Sequence, residues 1–306
     1  MPTIGSTTFP SPIQVQFPIW LRRPLILHGQ WAQAKALVRE LSLHTVCEES
    51  RCPNLGECWS KGEVSFMILG NRCTRRCAFC AVTTARPNPL DPEEPQRLAE
   101  AVDRLHLKYV VITSVARDDL PDEGSGHFAR CIRALHERIP GIGVEVLTPD
   151  FHARRQLLDE VVQAQPEVFA HNVETVERLT PKVRPQADYR RSLETLRLAK
   201  EVAKGRLTTK SGLMVGLGEG PQEMRATMRD LRQTGCEILT IGQYLRPGLD
   251  QRQVEEFVPL EQFDLYREWG RELGFSSVTC GPYVRSSYNA FEAFQGKENP
   301  CTKRIV

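Results

Sequence analysis

The chain carries almost no net charge. Its 40 basic residues stand against 38 acidic ones and leave +2, too weak a field to hold a nucleic-acid backbone, so nucleic acid is excluded as the main partner. It has no apolar run of the roughly twenty residues that a membrane-spanning helix needs: residues 1–21 are uncharged, but Pro2, Pro10, Pro12 and Pro18 interrupt them. A basic stretch followed by a compact apolar one is also missing at the start, which argues against a secretory signal and makes disulfides a poor default. No membrane partner is expected, and the cytoplasm is the expected location. One absence points elsewhere. No acidic residue precedes Glu40, while Arg22, Arg23, Lys35 and Arg39 do, and an acid-poor start rich in Ser and Thr is also the composition of an organelle transit peptide, leaving the matrix or stroma as the alternative. Internal repeats and low-complexity tracts are absent. Charged residues at 25% and hydrophobic ones at 41% exclude disorder, collagen and fibres.

What remains is a chain of 306 residues, long enough for two domains or for one α/β barrel with terminal extensions. After a Pro-rich arm, residues 31–43 place Ala34, Leu37, Val38 and Leu41 on one helical face. From residue 64 onward, apolar strand-like runs (64–70, 108–113, 143–148, 167–172, 210–216 and 237–242) alternate with amphipathic helical stretches. These include 92–107, with Asp91 and Pro92 as its expected N-cap and first residue, and 126–139, with Phe128, Ile132, Leu135 and Ile139 in register. Six such alternations predict a parallel sheet. Polar residues lie just beyond five strand ends: Thr113, Ser114, Arg117 and Asp118; Thr148; His171, Asn172 and Glu174; Gly216, Gly218 and Glu219; Gln243 and Tyr244. Chemistry drawn from several rims at once favours a partial (β/α)6 barrel of the TIM type over an open doubly wound sheet. Its expected divisions are an N-terminal arm and cysteine segment at 1–63, a barrel core at 64–259, and a C-terminal extension at 260–306 containing a helix near 260–273 and a further strand.

Six of the ten cysteines fall between residues 47 and 80. Cys47, Cys52 and Cys58 are spaced C-x4-C-x5-C. Cys73, Cys77 and Cys80 are spaced C-x3-C-x2-C, directly after the first barrel strand. Thiolates so close in sequence converge on one metal centre with little ordering cost. A tetrahedral zinc wants a fourth Cys or His, and no His lies between residues 44 and 106, although His44 itself is able to complete the first triplet. Three thiolates on a four-iron cluster instead leave one iron open. Cys131 falls on an apolar helical face, and Cys236, Cys280 and Cys301 read as packing or incidental positions.

The segment CTRRCAFC resembles the signature of radical S-adenosylmethionine enzymes, with Phe79 in its aromatic place, and that superfamily is known for a partial β/α barrel. Together with CEESRCPNLGEC, VVITSVARDDL, TKSGLMVGLGE, GQYLRP and the closing GPYVRSSYNA, the stretch from about residue 40 to 290 resembles the lipoyl synthase family. The resemblance implies a [4Fe-4S] cluster on Cys73, Cys77 and Cys80 that binds and cleaves S-adenosylmethionine. It implies an auxiliary [4Fe-4S] cluster on Cys47, Cys52, Cys58 and Ser287. It further implies sulfur insertion at C6 and C8 of a protein-bound octanoyl chain, with two S-adenosylmethionines used and the auxiliary cluster consumed. Implied partners are the octanoylated lipoyl domain of a 2-oxoacid dehydrogenase or the glycine-cleavage carrier protein, an electron donor such as flavodoxin or ferredoxin, and an iron–sulfur carrier that rebuilds the cluster. Hard chemistry of this kind belongs to the cofactors, so the protein's task is positioning and shielding.

Phe79, Ser114, Arg117, Asn172, Glu174 and Gln243, with Asp118 nearby, are candidates to contact S-adenosylmethionine, although rim salt bridges and helix caps read the same way in sequence. Arg285 is a candidate active-site support. The glycines of 216–220 lack dinucleotide spacing and are expected to let the backbone approach a cofactor or substrate closely. Asn289 departs from the family pattern, in which His commonly follows RSSY; Asn cannot serve as a base near neutral pH. The alternative reading is a radical S-adenosylmethionine enzyme whose auxiliary cluster is not sacrificed, acting on another peptide or small substrate. A non-enzymatic iron–sulfur or zinc module is the third.

Overall fold

The computed structural model describes residues 18–22 and 31–296; most of the Pro-rich arm and Cys301 lie outside them. Ten strands occur in chain order: β1 (His44–Thr45), β2 (Ser65–Ile68), β3 (Arg72–Cys73), β4 (Thr83–Thr84), β5 (Tyr109–Ser114), β6 (Gly143–Leu147), β7 (Val168–Ala170), β8 (Thr208–Val215), β9 (Ile238–Gln243) and β10 (Ser277–Gly281). β3 and β4 pair only with each other, and the other eight form one sheet in the order β1-β2-β5-β6-β7-β8-β9-β10. All its pairings are parallel except β1 on β2. Each strand thus lies beside the next along the chain, with helices crossing back between them, and the sheet curls into an open barrel whose first and last strands do not pair.

Every strand-like run of the sequence is a strand. The barrel, however, holds seven parallel strands rather than six, because β10 hydrogen-bonds to β9 from Ser277 to Gly281. The helix Leu260–Glu272 and β10 are therefore one more repeat of the same unit, and the sheet runs on into the stretch read as an extension. The six residues of β9 are all buried, as expected of a parallel strand covered on both faces.

Helices form at Trp31–Glu40, Ser125–Arg138 and Leu260–Glu272, close to expectation. The helix expected from residue 92 begins at Glu94, with Pro95 in its first turn. Asp91 does not cap it: the carboxylate accepts the Glu93 N–H at 3.0 Å and pairs with Arg97 at 2.6 Å, closing a separate turn that consumes two residues. Apolar side chains fill two clusters between sheet and helices, one under the first half of the barrel around Trp59, Phe66, Phe128 and Phe151, the other under the second half around Met224, Leu239 and Phe263.

Candidate active site

The C-x3-C-x2-C loop leaves the top of β2 through Leu69, which adopts φ 69°. A leucine tolerates this left-handed geometry poorly, and it is held from two sides. Glu94 accepts the Leu69 N–H at 2.9 Å and is itself bound by His127 Nε2 at 2.6 Å. Beyond it, the loop is tied by the β3–β4 ladder, by Thr74 N–H to the Ala116 carbonyl at 3.1 Å and by Ala78 N–H to the Val183 carbonyl at 2.8 Å. Arg75, 7% exposed, reaches Asp118 at 2.6 Å and Asp150 at 2.8 Å, clamping the loop onto the rims of β5 and β6. The Cys73 sulfur accepts N–H groups from Arg75 at 3.4 Å and Ala116 at 3.3 Å.

The first triplet sits on two short helices, Val46–Glu49 and Leu55–Ser60. Thr45 caps the former by accepting the Glu48 N–H at 3.3 Å. Asn54 and Glu57 carry this segment to the far end of the chain: Asn54 donates to the Tyr283 carbonyl at 2.6 Å, and Tyr288 donates to Glu57 at 3.1 Å. Residues 244–252 then join the two cysteine loops. Arg51 donates to the Pro247 carbonyl at 3.2 Å, Gln251 to the Cys80 carbonyl at 3.3 Å, and Arg252 N–H to the Ala78 carbonyl at 2.8 Å. Sequence reasoning did not assign this bridging role, although the stretch GQYLRP held its first half.

A cavity of about 230 Å³ lies between these loops at the carboxyl ends of the strands. Cys47, Cys52, Cys80 and Ser287 line it, as do Phe79, Asn172, Glu174, Gln243 and Arg285. Cys58, Cys73 and Cys77 are not among the residues lining it; after burial, the other thiols of the same triplet add to the upward push on Cys58, Cys77 and Cys80. All six are free of disulfides. Burial pushes Cys47 up to about 11 and Cys80 to about 12, and raises Cys58 and Cys77 as well. Such thiols stay protonated until a strongly positive centre displaces the proton, and two compact sets of three soft donors fit iron–sulfur clusters.

Small residues open the cavity wall. A Cβ on Gly212 would stand 2.8 Å from Asn172 Oδ1, and one on Gly242 would stand 2.0 Å from the Val284 carbonyl. Asn172 donates to Glu174 at 3.1 Å, and Asn172 Oδ1 is buried without a partner. Burial raises the Glu174 carboxyl, with Arg184 opposing it; Arg184 in turn donates to the Asn172 carbonyl at 3.0 Å. Arg285 donates to the Gln243 carbonyl at 3.2 Å and to its neighbour Val284 at 2.8 Å.

Three expectations change. Gln243 lines the cavity but directs its side-chain amide at the backbone, donating to Val215 at 3.2 Å and Glu256 at 2.9 Å and accepting from Val258 N–H at 2.9 Å, so it braces the 244–258 loop. Ser114 and Arg117 are not among the residues lining the cavity; Arg117 pairs with Asp119 at 2.9 Å. The 216–220 loop makes its close approach to protein rather than to a cofactor. Gly216 has φ 90°, a Cβ there would lie 2.3 Å from the Glu256 carbonyl, and the Glu219 carboxylate fills the loop's own N–H groups at 2.6 and 2.9 Å. Asn289, the departure from the family pattern, is buried with φ 48°, a geometry Asn accepts more readily than most residues.

Comparison with known proteins shows the family and the fold. The Radical SAM superfamily model matches residues 67–231, over half of the chain. The lipoyl synthase of Thermus thermophilus is 53% identical over 287 residues, covering 93% of this chain and 88% of that protein. That of Caldanaerobacter subterraneus is 51% identical over 276 residues, covering 90% and 96%. Among solved structures, methylornithine synthase superposes with TM-score 0.54 at 15% identity, covering 82% of both chains, and a maturase of the [FeFe]-hydrogenase does so with TM-score 0.54 at 15% identity, covering 88% and 64%. At that identity the structures speak for the fold alone.

Proposed function

The chain belongs to the lipoyl synthase family of the radical S-adenosylmethionine superfamily, and from that premise we propose how its residues serve the reaction. It converts a protein-bound octanoyl-lysine into lipoyl-lysine by inserting sulfur at C6 and C8, with two S-adenosylmethionines consumed and an auxiliary [4Fe-4S] cluster as sulfur donor. The observation that carries the assignment of residues is the meeting of both chain ends on one cavity: Cys47 and Cys52 from the N-terminal side, Ser287 from the C-terminal side, and Cys80 from the barrel.

Cys73, Cys77 and Cys80 would hold the cluster that binds S-adenosylmethionine, and Cys47, Cys52, Cys58 and Ser287 the auxiliary one. When bound, these groups supply the reducing electron, the abstraction of hydrogen from unactivated methylenes, and the sulfur. The protein's own share is geometric. Asn172 and Glu174 present an unpartnered acceptor and a carboxyl to the cavity, suited to an ammonium end of S-adenosylmethionine, and Phe79 offers an apolar face. Leu147, Leu213 and Met214 line the cavity too and suit an alkyl chain while keeping water away. Ser287 presents a single oxygen that leaves a metal more readily than a thiolate does. Arg75 and the 244–252 loop hold the two cysteine loops at a fixed separation, so that abstraction and sulfur transfer act on one chain without its release.

An octanoylated carrier protein is the substrate. We assign as its carriers the lipoyl domain of a 2-oxoacid dehydrogenase or the glycine-cleavage carrier protein, as reductant a flavodoxin or ferredoxin, and as rebuilder an iron–sulfur carrier, all in the cytoplasm. No helix among the described residues is long and apolar enough to cross a membrane. The test is anaerobic reconstitution followed by reduction and addition of S-adenosylmethionine with an octanoyl-lysine peptide. Two 5'-deoxyadenosines should form per lipoyl product as the auxiliary cluster is lost; deoxyadenosine without a dithiolane would sink the assignment.

A further inference from the structure

The loop that carries Cys73, Cys77 and Cys80 has a second side, away from the cavity. Cys80 lines the cavity and Cys73 does not; Cys73 lies on the β3–β4 ladder, where Arg72, Thr83 and Thr84 are exposed. From residue 64 to residue 90 the chain has no acidic residue but four arginines, Arg72, Arg75, Arg76 and Arg86. Arg75 is spent on Asp118 and Asp150. The other three are exposed, and none of their side chains has an ion pair or a hydrogen bond among the described residues. Register gathers them. Arg72 pairs with Thr83, the Ala85 N–H donates to the Cys73 carbonyl at 3.2 Å one residue before Arg86, and the Thr84 hydroxyl donates to the Arg75 carbonyl at 3.2 Å beside Arg76. A fourth unpaired cation, the exposed Lys182, adjoins Val183, whose carbonyl takes the Ala78 N–H at 2.8 Å. Of the acids on the segments bound to this loop, Asp118 serves Arg75, Asp119 serves Arg117, and Asp188 caps its helix by accepting the Arg191 N–H at 2.7 Å. Exposed arginines elsewhere take partners, as Arg104 does with Glu40 at 2.7 Å and Arg190 with Glu177 at 2.8 Å. Like charges gathered without partners repel one another, so this patch suits a molecule that brings the missing acids.

We propose that the β3–β4 ladder is the docking surface for the electron donor, a small protein with an acidic face and a low-potential one-electron centre. The proposal rests on the reading that Cys73, Cys77 and Cys80 hold the cluster to be reduced. One electron leaves the donor's centre, which is thereby oxidised, and reduces the cluster; no bond is made or broken and no proton is required. Electron transfer weakens steeply with distance, so the donor has to sit against the cysteine loop itself, and the cavity side is taken by S-adenosylmethionine and the acyl chain. The ladder places Arg72 one residue from Cys73. An octanoylated carrier fits this surface less well, because its arm has to enter the cavity and none of Arg72, Arg76, Arg86 and Lys182 lines it. Redox encounters bury little area and depend on charge steering, which four exposed cations supply. Pro87 and Pro89 hold the segment after Arg86 to few conformations, so little order is lost on docking.

The test uses the reconstituted holoenzyme and an acidic flavodoxin as probe. Arg72→Glu/Arg86→Glu reverses two charges of the patch, and Arg133→Glu/Arg229→Glu makes the same change on exposed positions of two outer helices. Affinity is read by fluorescence anisotropy of labelled flavodoxin, and reduction of the cluster by stopped-flow absorbance with reduced flavodoxin or with photoreduced deazariboflavin, a small neutral reductant. In the ladder variant the Kd for flavodoxin should rise about tenfold and reduction by flavodoxin should slow in step. Reduction by deazariboflavin should stay at the wild-type rate, and the gap to wild type should narrow as salt is raised. Wild-type affinity in the ladder variant overturns the proposal, and so does an equal loss in the helix variant, which would make net charge the cause. Slowing with deazariboflavin as well overturns it by placing the arginines' effect on the cluster itself. A raised KM for an octanoylated lipoyl domain, measured with deazariboflavin while flavodoxin binds normally, overturns it in favour of the carrier. A wild-type chain whose cluster neither reductant can reduce overturns the cluster assignment instead, and the need for a donor falls with it.

Discussion

Lys210 and Glu145 form an ion pair in the barrel interior, and removing one partner alone should cost far more than removing both charges. Lys210 Nζ stands 2.8 and 3.0 Å from the two Glu145 oxygens, with the side chains 0% and 1% exposed. Tyr109 donates to the same carboxylate at 3.0 Å. Side chains alternate along a strand, and Gly212 and Val111, two residues beyond Lys210 and Tyr109, line the catalytic cavity; the pair therefore forms the layer beneath the cavity floor. Breaking a buried pair by deleting one member costs about 3–5 kcal/mol. In Lys210→Met the Tyr109 hydroxyl still serves Glu145, so the lower end applies: about 3 kcal/mol, or a Tm lower by roughly 5 °C for a chain of this size. In the double variant Lys210→Met/Glu145→Gln the amide oxygen still accepts from Tyr109 and no charge is stranded, so stability should return to within about 1 kcal/mol of the parent. The assay is thermal and urea unfolding of the cluster-free chain for both single variants and the double, closed as a cycle. Additive effects, or a Lys210→Met loss below about 1 kcal/mol, would refute the claim that this pair is held dry and dependent on its partner.

Three further outcomes follow from the site. Ser287→Ala should leave 5'-deoxyadenosine formation intact while lipoyl product falls by about a hundredfold, and Ser287→Cys should retain the auxiliary cluster through attempted turnover, both read by product mass and Mössbauer spectroscopy. Truncation after Pro282 removes Tyr283, Ser287 and Tyr288, hence the ties to Asn54 and Glu57; the auxiliary cluster should fail to assemble while the other forms, and iron analysis showing two clusters would count against the tie. His171 is fully buried, its Nδ1 bound to the Thr148 carbonyl at 2.9 Å, and burial, with Arg184 next, lowers it from 6.5 to about 4. The unfolded chain takes up that proton at higher pH than the folded one, so His171 contributes stability above about pH 6.5 that drains away as the pH falls toward 4, about 3 kcal/mol in all. Unfolding midpoints of the cluster-free chain should drop across that window and do so less in His171→Gln; parallel profiles would exclude His171 as the cause.

Features whose parts lie close together in the chain were legible in advance. The cysteine triplets read directly, because each is packed into a dozen residues or fewer and a short loop has few ways to avoid converging. Strands read well because a parallel barrel buries both faces and leaves apolar runs. What escaped was settled by register across distant strands. Lys210 meets Glu145 only because β6, β7 and β8 align Glu145 with Val168 and Val168 with Thr208, a relation that no window on either strand contains. The 216–220 glycines misled for the same reason: their crowding partner, the Glu256 carbonyl, lies forty residues on. Gln243 looked like a ligand because a polar residue at a rim is ambiguous until its partners are known, and here they include the end of β8 and two backbone groups of a loop whose path the sequence does not reveal.

The arrival of Ser287 at the cysteines follows from one pairing. In a parallel sheet every strand ends at the same rim, so β10, by hydrogen-bonding to β9, delivers residues 282–288 to the end of the barrel where the loop after β2 carries Cys73, Cys77 and Cys80. Had those residues formed a free-standing extension, no such constraint would place the serine. The chain then turns along the side that the barrel leaves open, where Phe291 packs tilted against Tyr109 and Phe294 stacks on it, with ring centroids 5.4 and 5.8 Å away. Tyr109 is the residue whose hydroxyl holds Glu145. The segment carrying Ser287, the proposed oxygen ligand, is thereby anchored to the buried ion pair below the cavity, and any loosening of that pair should reach the proposed auxiliary site through Tyr109 before it reaches the loop of Cys73, Cys77 and Cys80, which is clamped separately by Arg75, Asp118 and Asp150.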